Sequence, residues 1–191
     1  MTSSPPAHGG APVNVELELL EGRELYPRVI LDTLLAARRN AWLATANVKD
    51  CQVELDGAFG SIVELFAALC RQGVDVRLLH GGVPSGAFLE SLKASRLAGH
   101  PNFAMRRCPR LHFKAILVDD QHLHLGSANL TGAGLGAKGE SRRNFELGLL
   151  TRDPRLIDRV ARLYHRIWEG DLCPECGRRS VCYVPLEEPA F

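Results

Sequence analysis

The sequence predicts an α/β sandwich with a mixed central sheet flanked by helices. Two observations carry this. Short segments of period-two apolar alternation take turns with segments of helical period over most of the chain. Two strand-like segments then follow one another directly across Asp119-Asp120-Gln121, a hairpin-like turn that adds antiparallel pairing to a sheet otherwise fed by helices.

Val13 to Leu20 (VNVELELL) alternates and reads as a strand. Tyr26 to Arg39 carries Val29, Ile30, Thr33, Leu34 and Ala37 at helical spacing, and Trp42 to Val48 is a short strand. Phe59 to Gln72 is a helix with Ile62, Leu65, Phe66 and Leu69 on one face, stopped by Gly73. Val74 to Leu79 is a strand, and Ser85 to Ala98 a helix with Ser85 as N-cap. Phe103 to Arg106, His112 to Val118, His122 to Ala128 and Phe145 to Leu150 are the remaining strands. Arg155 to Trp168 is an amphipathic helix with Leu156, Ile157, Val160, Leu163, Tyr164 and Ile167 facing inward.

Composition narrows the function classes. The 191 residues suffice for one sizeable domain, and the 46% hydrophobic and 24% charged fractions are those of a globular protein. No apolar run reaches the ~18 residues that a membrane span needs. The net charge of +1 gives no global basic field. Residues 1–12 (MTSSPPAHGGAP) lack an export signal and read as a disordered tail, so a reducing, cytoplasmic setting is expected. Residues 13–170 form the expected catalytic domain, and 171–191 a small Cys-rich tail.

The chemistry concentrates between Arg110 and Gly148. Residues two apart on a strand share a face. His112 and Lys114 therefore point together, as do Ser127 with Asn129 and Asn144 with Glu146. Such polar pairs inside apolar strands are costly to bury unpartnered, so they should line a site. The types suit phosphodiester chemistry. A neutral imidazole can attack phosphorus and form a phosphohistidine. A lysine with hydroxyl and amide donors can neutralise the charge that builds on the non-bridging oxygens. A carboxylate on the second ring nitrogen can fix the tautomer. These roles fall to His112, to Lys114 with Ser127 and Asn129, and to Glu146, with no metal needed for catalysis.

The spacing His112-x-Lys114-x4-Asp119-x6-Gly126-Ser127-x-Asn129, followed by Asn144-Phe145-Glu146-Leu147-Gly148, resembles the HKD motif of the phospholipase D superfamily. The resemblance implies a phospholipase D-like fold and a phosphodiesterase. Asp119 and Gly126 belong to the motif, but strand parity turns Asp119 away from His112, so both read as structural. The same parity sets His122 and His124 opposite Ser127 and Asn129, as packing residues. His80 lacks a lysine two positions on and reads as structural; His100 receives no role. In the superfamily a second motif copy supplies the group that protonates the leaving oxygen. This chain has one His-x-Lys, which implies a homodimer with a composite site on its axis.

Substrate class is left to weaker signals. Thr131 to Gly139 (TGAGLGAKG) reads as a flexible loop, whose backbone N–H groups could also help cradle phosphate. Between Arg106 and Arg143 stand seven basic and three acidic side chains, which favours a polyanion and hence DNA or RNA. The alternatives are a phospholipase or phosphatidyltransferase acting on phospholipid, and a non-catalytic nucleic-acid-binding module.

Cys173-x2-Cys176-x5-Cys182 reads as a metal site that needs a remote fourth ligand. Cys108 is favoured, with Cys51, Cys70 and His165 as alternatives. The spacing is locally similar to the iron–sulfur clasp of RecB-family nucleases, which implies a structural [4Fe–4S] cluster; zinc is the other expectation.

Overall fold

The computed structural model describes residues 14–55, 57–135 and 138–186. The expected tail over 1–12 lies outside them, as do Gly136 and Ala137 of the glycine-rich loop. The strands are β1 (Glu18–Glu21), β2 (Asn40–Thr45), β3 (Gln52–Leu55), β4 (Ala58–Ser61), β5 (Asp75–His80), β6 (Phe103–Arg107), β7 (Lys114–Val118), β8 (His122–Gly126) and β9 (Leu147–Thr151). The α-helices are α1 (Ile62–Arg71), α2 (Gly86–Ala94) and α3 (Pro154–Trp168).

Seven strands form a mixed sheet in the order β1-β9-β8-β7-β2-β5-β6. β2, β5 and β6 are parallel; β7, β8, β9 and β1 each pair antiparallel. The β7–β8 turn places Asp119 and Asp120 at φ 54° and 58°, the left-handed backbone that a tight hairpin demands and Asp tolerates.

Alternate residues of the central strands enter opposite layers. Leu43, Leu78, Ile116 and Val118 join α1 and α2 in one core. Ala44, Leu79, Ala115 and Leu117 join Ile157, Tyr164 and Trp168 of α3 in the other. Burying a Leu, Ile or Val side chain stabilises by ~1.5–3 kcal/mol relative to exposing it. The Ser85 cap is as the sequence indicates, its Oγ accepting from Phe88 N at 3.3 Å. Ser61 caps α1 through Val63 N at 3.0 Å, and Asp153 caps α3.

Several boundaries differ from the sequence reading. The first helix is a π-type segment over Tyr26–Leu34, closed by Leu35 N to Ile30 O at 2.8 Å, and it ends well short of Arg39. Residues 35–39 instead turn so that Arg38, Arg39 and Asn40 present their N–H groups to Asp119. β3 and β4 form a separate hairpin where no strand was expected. The helix expected from Ser85 to Ala98 stops at Ala94, because Arg96 turns left-handed at φ 56° before a short 3-10 turn.

Candidate active site

Apart from Lys114, the candidate catalytic side chains flank the strands rather than occupying them. Lys114 opens β7, paired with Gly126 at the end of β8, which is paired in turn with Gly148 of β9. His112 precedes β7, Ser127 and Asn129 follow β8, and Asn144 and Glu146 precede β9. The strands expected from His112, to Ala128 and from Phe145 are therefore shorter than alternation suggested. All of these residues still gather at one end of the sheet, because the register aligns the three strand ends. His112, Ser127 and Asn144 are exposed, and Lys114, Asn129 and Glu146 half-buried, so the site is an open surface.

Its hydrogen bonds are local and specific. Lys114 Nζ donates to His112 O at 2.7 Å, holding the ammonium beside the residue that carries the imidazole. The Ser127 hydroxyl donates to Glu146 Oε2, and accepts from Leu147 N at 3.1 Å. Asn144 Nδ2 donates to Glu146 Oε1 at 3.1 Å. Among the described residues Glu146 is thus bound by Ser127 and Asn144, and the expected bond from Glu146 to the His112 ring is not formed. Asn129 Oδ1 accepts from Asn47 N at 3.0 Å and lies 3.3 Å from Thr45 Oγ. The amide oxygen is thereby committed to the scaffold, and its NH₂ end is the donor left to offer.

Thr45 and Asn47 escaped sequence reasoning. Thr45 looks like any β-branched strand residue. Its role shows only in the fold, where its hydroxyl also accepts from Leu130 N at 3.1 Å and anchors the turn bearing Asn129.

Below the surface, His124 is 2% exposed and fills the space beside Gly126 and Gly148. A Cβ at Gly148 would stand 2.5 Å from His124 Cε1, and one at Gly126 would stand 2.7 Å from Leu147 O. Both glycines therefore serve close packing. Burial pushes the His124 pKa down to about 4, against a smaller upward pull from the Leu149 backbone. His80 is also buried, with Nδ1 2.8 Å from Gly82 O, and burial lowers its pKa. His122 is half-buried, and its pKa is lowered by burial and then by Arg152.

Asp119 sits at the far end of β7 from Lys114. Its Oδ1 accepts from Arg39 N at 2.7 Å and Oδ2 from Arg38 N at 2.9 Å. The basic rim is only partly a rim. Arg106 donates to Trp168 O and Leu186 O, Arg107 to Gly81 O, and Arg110 to Cys176 Sγ. Those three arginines tie down the C-terminal segment and neighbouring loops, and Lys138 and Arg142 remain at the exposed loop before β9.

Cys108, Cys173, Cys176 and Cys182 line one cavity of about 140 Å³. Cys51 and Cys70 are buried in the core cluster of the opposite layer. His165 packs edge-on against Trp42. Among the described residues, no group of three or more His, Cys, Asp or Glu side chains is arranged to hold a metal ion.

The family model for the cardiolipin synthase, PLD-like domain matches residues 30–168. The chain belongs to the phospholipase D superfamily. Solved structures share its fold at low sequence identity. NucT from Helicobacter pylori is 16% identical, with a TM-score of 0.61 over 82% of this chain and 97% of that one. Nuc from Salmonella typhimurium, a phospholipase D family member, is 18% identical, with a TM-score of 0.58 over 82% and 95%. Phosphatidylserine synthase from Haemophilus influenzae is 19% identical, with a TM-score of 0.54 over 86% of this chain and 41% of that one. No curated protein matches the sequence. The segment from His112 to Asn129, which resembles the HKD motif, spans β7 and β8, and its polar members other than Asp119 lie at one sheet end.

Proposed function

We propose that this protein is a metal-independent phosphodiesterase that cleaves DNA or RNA through a phosphohistidine, as a homodimer. The observation that carries the reading is the convergence of His112, Lys114, Ser127, Asn129 and Glu146 on one exposed sheet end.

In the proposed reaction, a ring nitrogen of His112 attacks phosphorus and the bond to the leaving oxygen breaks. The His112 imidazolium of a second copy gives that oxygen its proton. Lys114 and the Asn129 amide stabilise the non-bridging oxygens. The second imidazole, now neutral, takes a proton from water, and the resulting hydroxide displaces His112 and releases the phosphate monoester. Glu146 and Ser127 position one another.

An uncovered apolar face supports the second copy. Phe145, between the site residues Asn144 and Glu146, is fully exposed. Leu147 of β9 and Leu19 of the edge strand β1 are exposed as well. Leu19 pairs with Leu149, two residues from Leu147, so both leucines lie on one face of the sheet. Apolar surface beside a half-complete site suits a symmetric partner. The same apolar surface, with the lipid enzyme named by the family model, favours phospholipid as the second reading. Among the described residues no helix is long and apolar enough to cross a membrane.

The test is a substrate panel of single- and double-stranded DNA, RNA and phospholipid with EDTA present, run on the wild type and His112→Asn. Cleavage of a nucleic acid by the wild type alone supports the proposal. Activity on phospholipid only moves the assignment to the second reading. Equal activity in the variant overturns the mechanism.

A further inference from the structure

The C-terminal segment after α3 is built as consecutive tight turns. Cys173 N bonds to Gly170 O at 2.8 Å, Cys176 N to Cys173 O at 3.0 Å, Arg179 N to Cys176 O at 2.8 Å and Cys182 N to Arg179 O at 3.2 Å. These turns bring Cys173, Cys176 and Cys182 to the wall of one cavity. The segment faces the turn that leaves β6, where Cys108 N bonds to His80 O at 2.9 Å and Leu111 N to Cys108 O at 2.8 Å.

The four thiols do not meet at a point. They surround a cavity of about 140 Å³ that is otherwise walled by Val181, Tyr183, Val184 and Leu186. A single zinc ion draws four sulfurs to ~2.3 Å from one centre, and no such gathering exists among the described residues. A multi-atom inorganic cluster holds its thiolates farther apart and fills the space between them. Arg110, Arg178 and Arg179 also border this cavity, and Arg110 Nη1 lies 3.2 Å from Cys176 Sγ. Guanidinium groups at the wall offset the negative charge that thiolate ligands bring, and N–H groups on cysteine sulfur are a known means of tuning such clusters.

We infer that Cys108, Cys173, Cys176 and Cys182 hold an iron–sulfur cluster. It is a clasp. It fastens residues 173–182 to Cys108, four residues before His112, at a site separate from the phosphodiester chemistry.

The test is made on the full chain purified anaerobically, with iron, acid-labile sulfide and zinc measured beside the visible spectrum. The expected result is brown protein with iron and sulfide in equal amounts. Cys108→Ala and Cys176→Ala should each lose most of both. Circular dichroism shows whether they remain folded, and the wild-type metal content stands whether or not they do. Colourless protein that stays free of iron after incubation with ferrous iron and sulfide overturns the inference. So does stoichiometric zinc in place of iron, or iron retained at the wild-type level in the two variants.

Discussion

The Ser127 hydroxyl donates a hydrogen bond to the Glu146 carboxylate, joining the end of β8 to the approach to β9. Each residue holds the other in place, and Asn144 adds a second donor to the same carboxylate. Removing one member takes away one of these constraints. Ser127→Ala should lower kcat by ~10²-fold, the scale for losing one positioned donor. Glu146→Gln keeps an acceptor for Ser127 and should cost less than Glu146→Ala. Steady-state kinetics on the substrate found by the panel check both, and a Glu146→Ala enzyme with unchanged kcat would refute the positioning role.

A composite site has a mixing signature. His112→Asn subunits exchanged into the wild type should lower activity as the square of the wild-type fraction, because every working site needs two intact histidines. A linear decline indicates that each subunit works alone.

The exposed Phe145 gives the interface a handle. Phe145→Asp should place a charge in the proposed dimer face and yield a monomer with little activity. Light scattering coupled to gel filtration reads the mass directly. A variant that stays dimeric excludes Phe145 from the interface.

Gly148→Ala should destabilise the fold by ~1–3 kcal/mol, the usual cost of overpacking. The new Cβ meets both His124 Cε1 at 2.5 Å and Leu25 Cδ2 at 2.7 Å. Urea denaturation measures the loss. The double variant Gly148→Ala/His124→Ala should recover part of it, since one of the two clash partners is gone.

His124 predicts an acid sensitivity. Its folded pKa of about 4 lies below the ordinary 6.5, so between those values the unfolded chain binds a proton that the folded chain refuses. Stability should therefore be full above pH ~6.5 and fall as pH drops towards 4, by up to ~3 kcal/mol from this residue. Burial lowers the His80 pKa as well and adds in the same direction. His124→Leu should flatten the pH profile of the denaturation midpoint over this window. An unchanged slope would remove His124 as its source.

Much of the fold was legible because its strands obey one rule. Leu43 and Ala44, or Ile116 and Leu117, enter opposite layers as period two demands. The site was legible as a residue set but not as a geometry. Alternation cannot say where pairing stops, so it placed His112 and Glu146 inside strands that begin two residues later and one residue later. It also gave Glu146 the wrong partner within the chain, since the Ser127 bond depends on strand ends that meet only in three dimensions. Thr45 and Asn47 were invisible because they act through backbone groups far away in sequence. The arginines of Arg106–Arg110 read as a charged rim, whereas their partners are carbonyls of segments 26–80 residues distant, together with a thiol.

Lys114, Gly126 and Gly148 stand abreast across β7, β8 and β9. A slip of β8 by one residue against either neighbour would reverse its faces and carry Ser127 and Asn129 away from Lys114. Strand pairing and the assembled site are therefore one event. A copy that folds out of register is left without the constellation altogether, so a misfolded chain is also a chemically silent one.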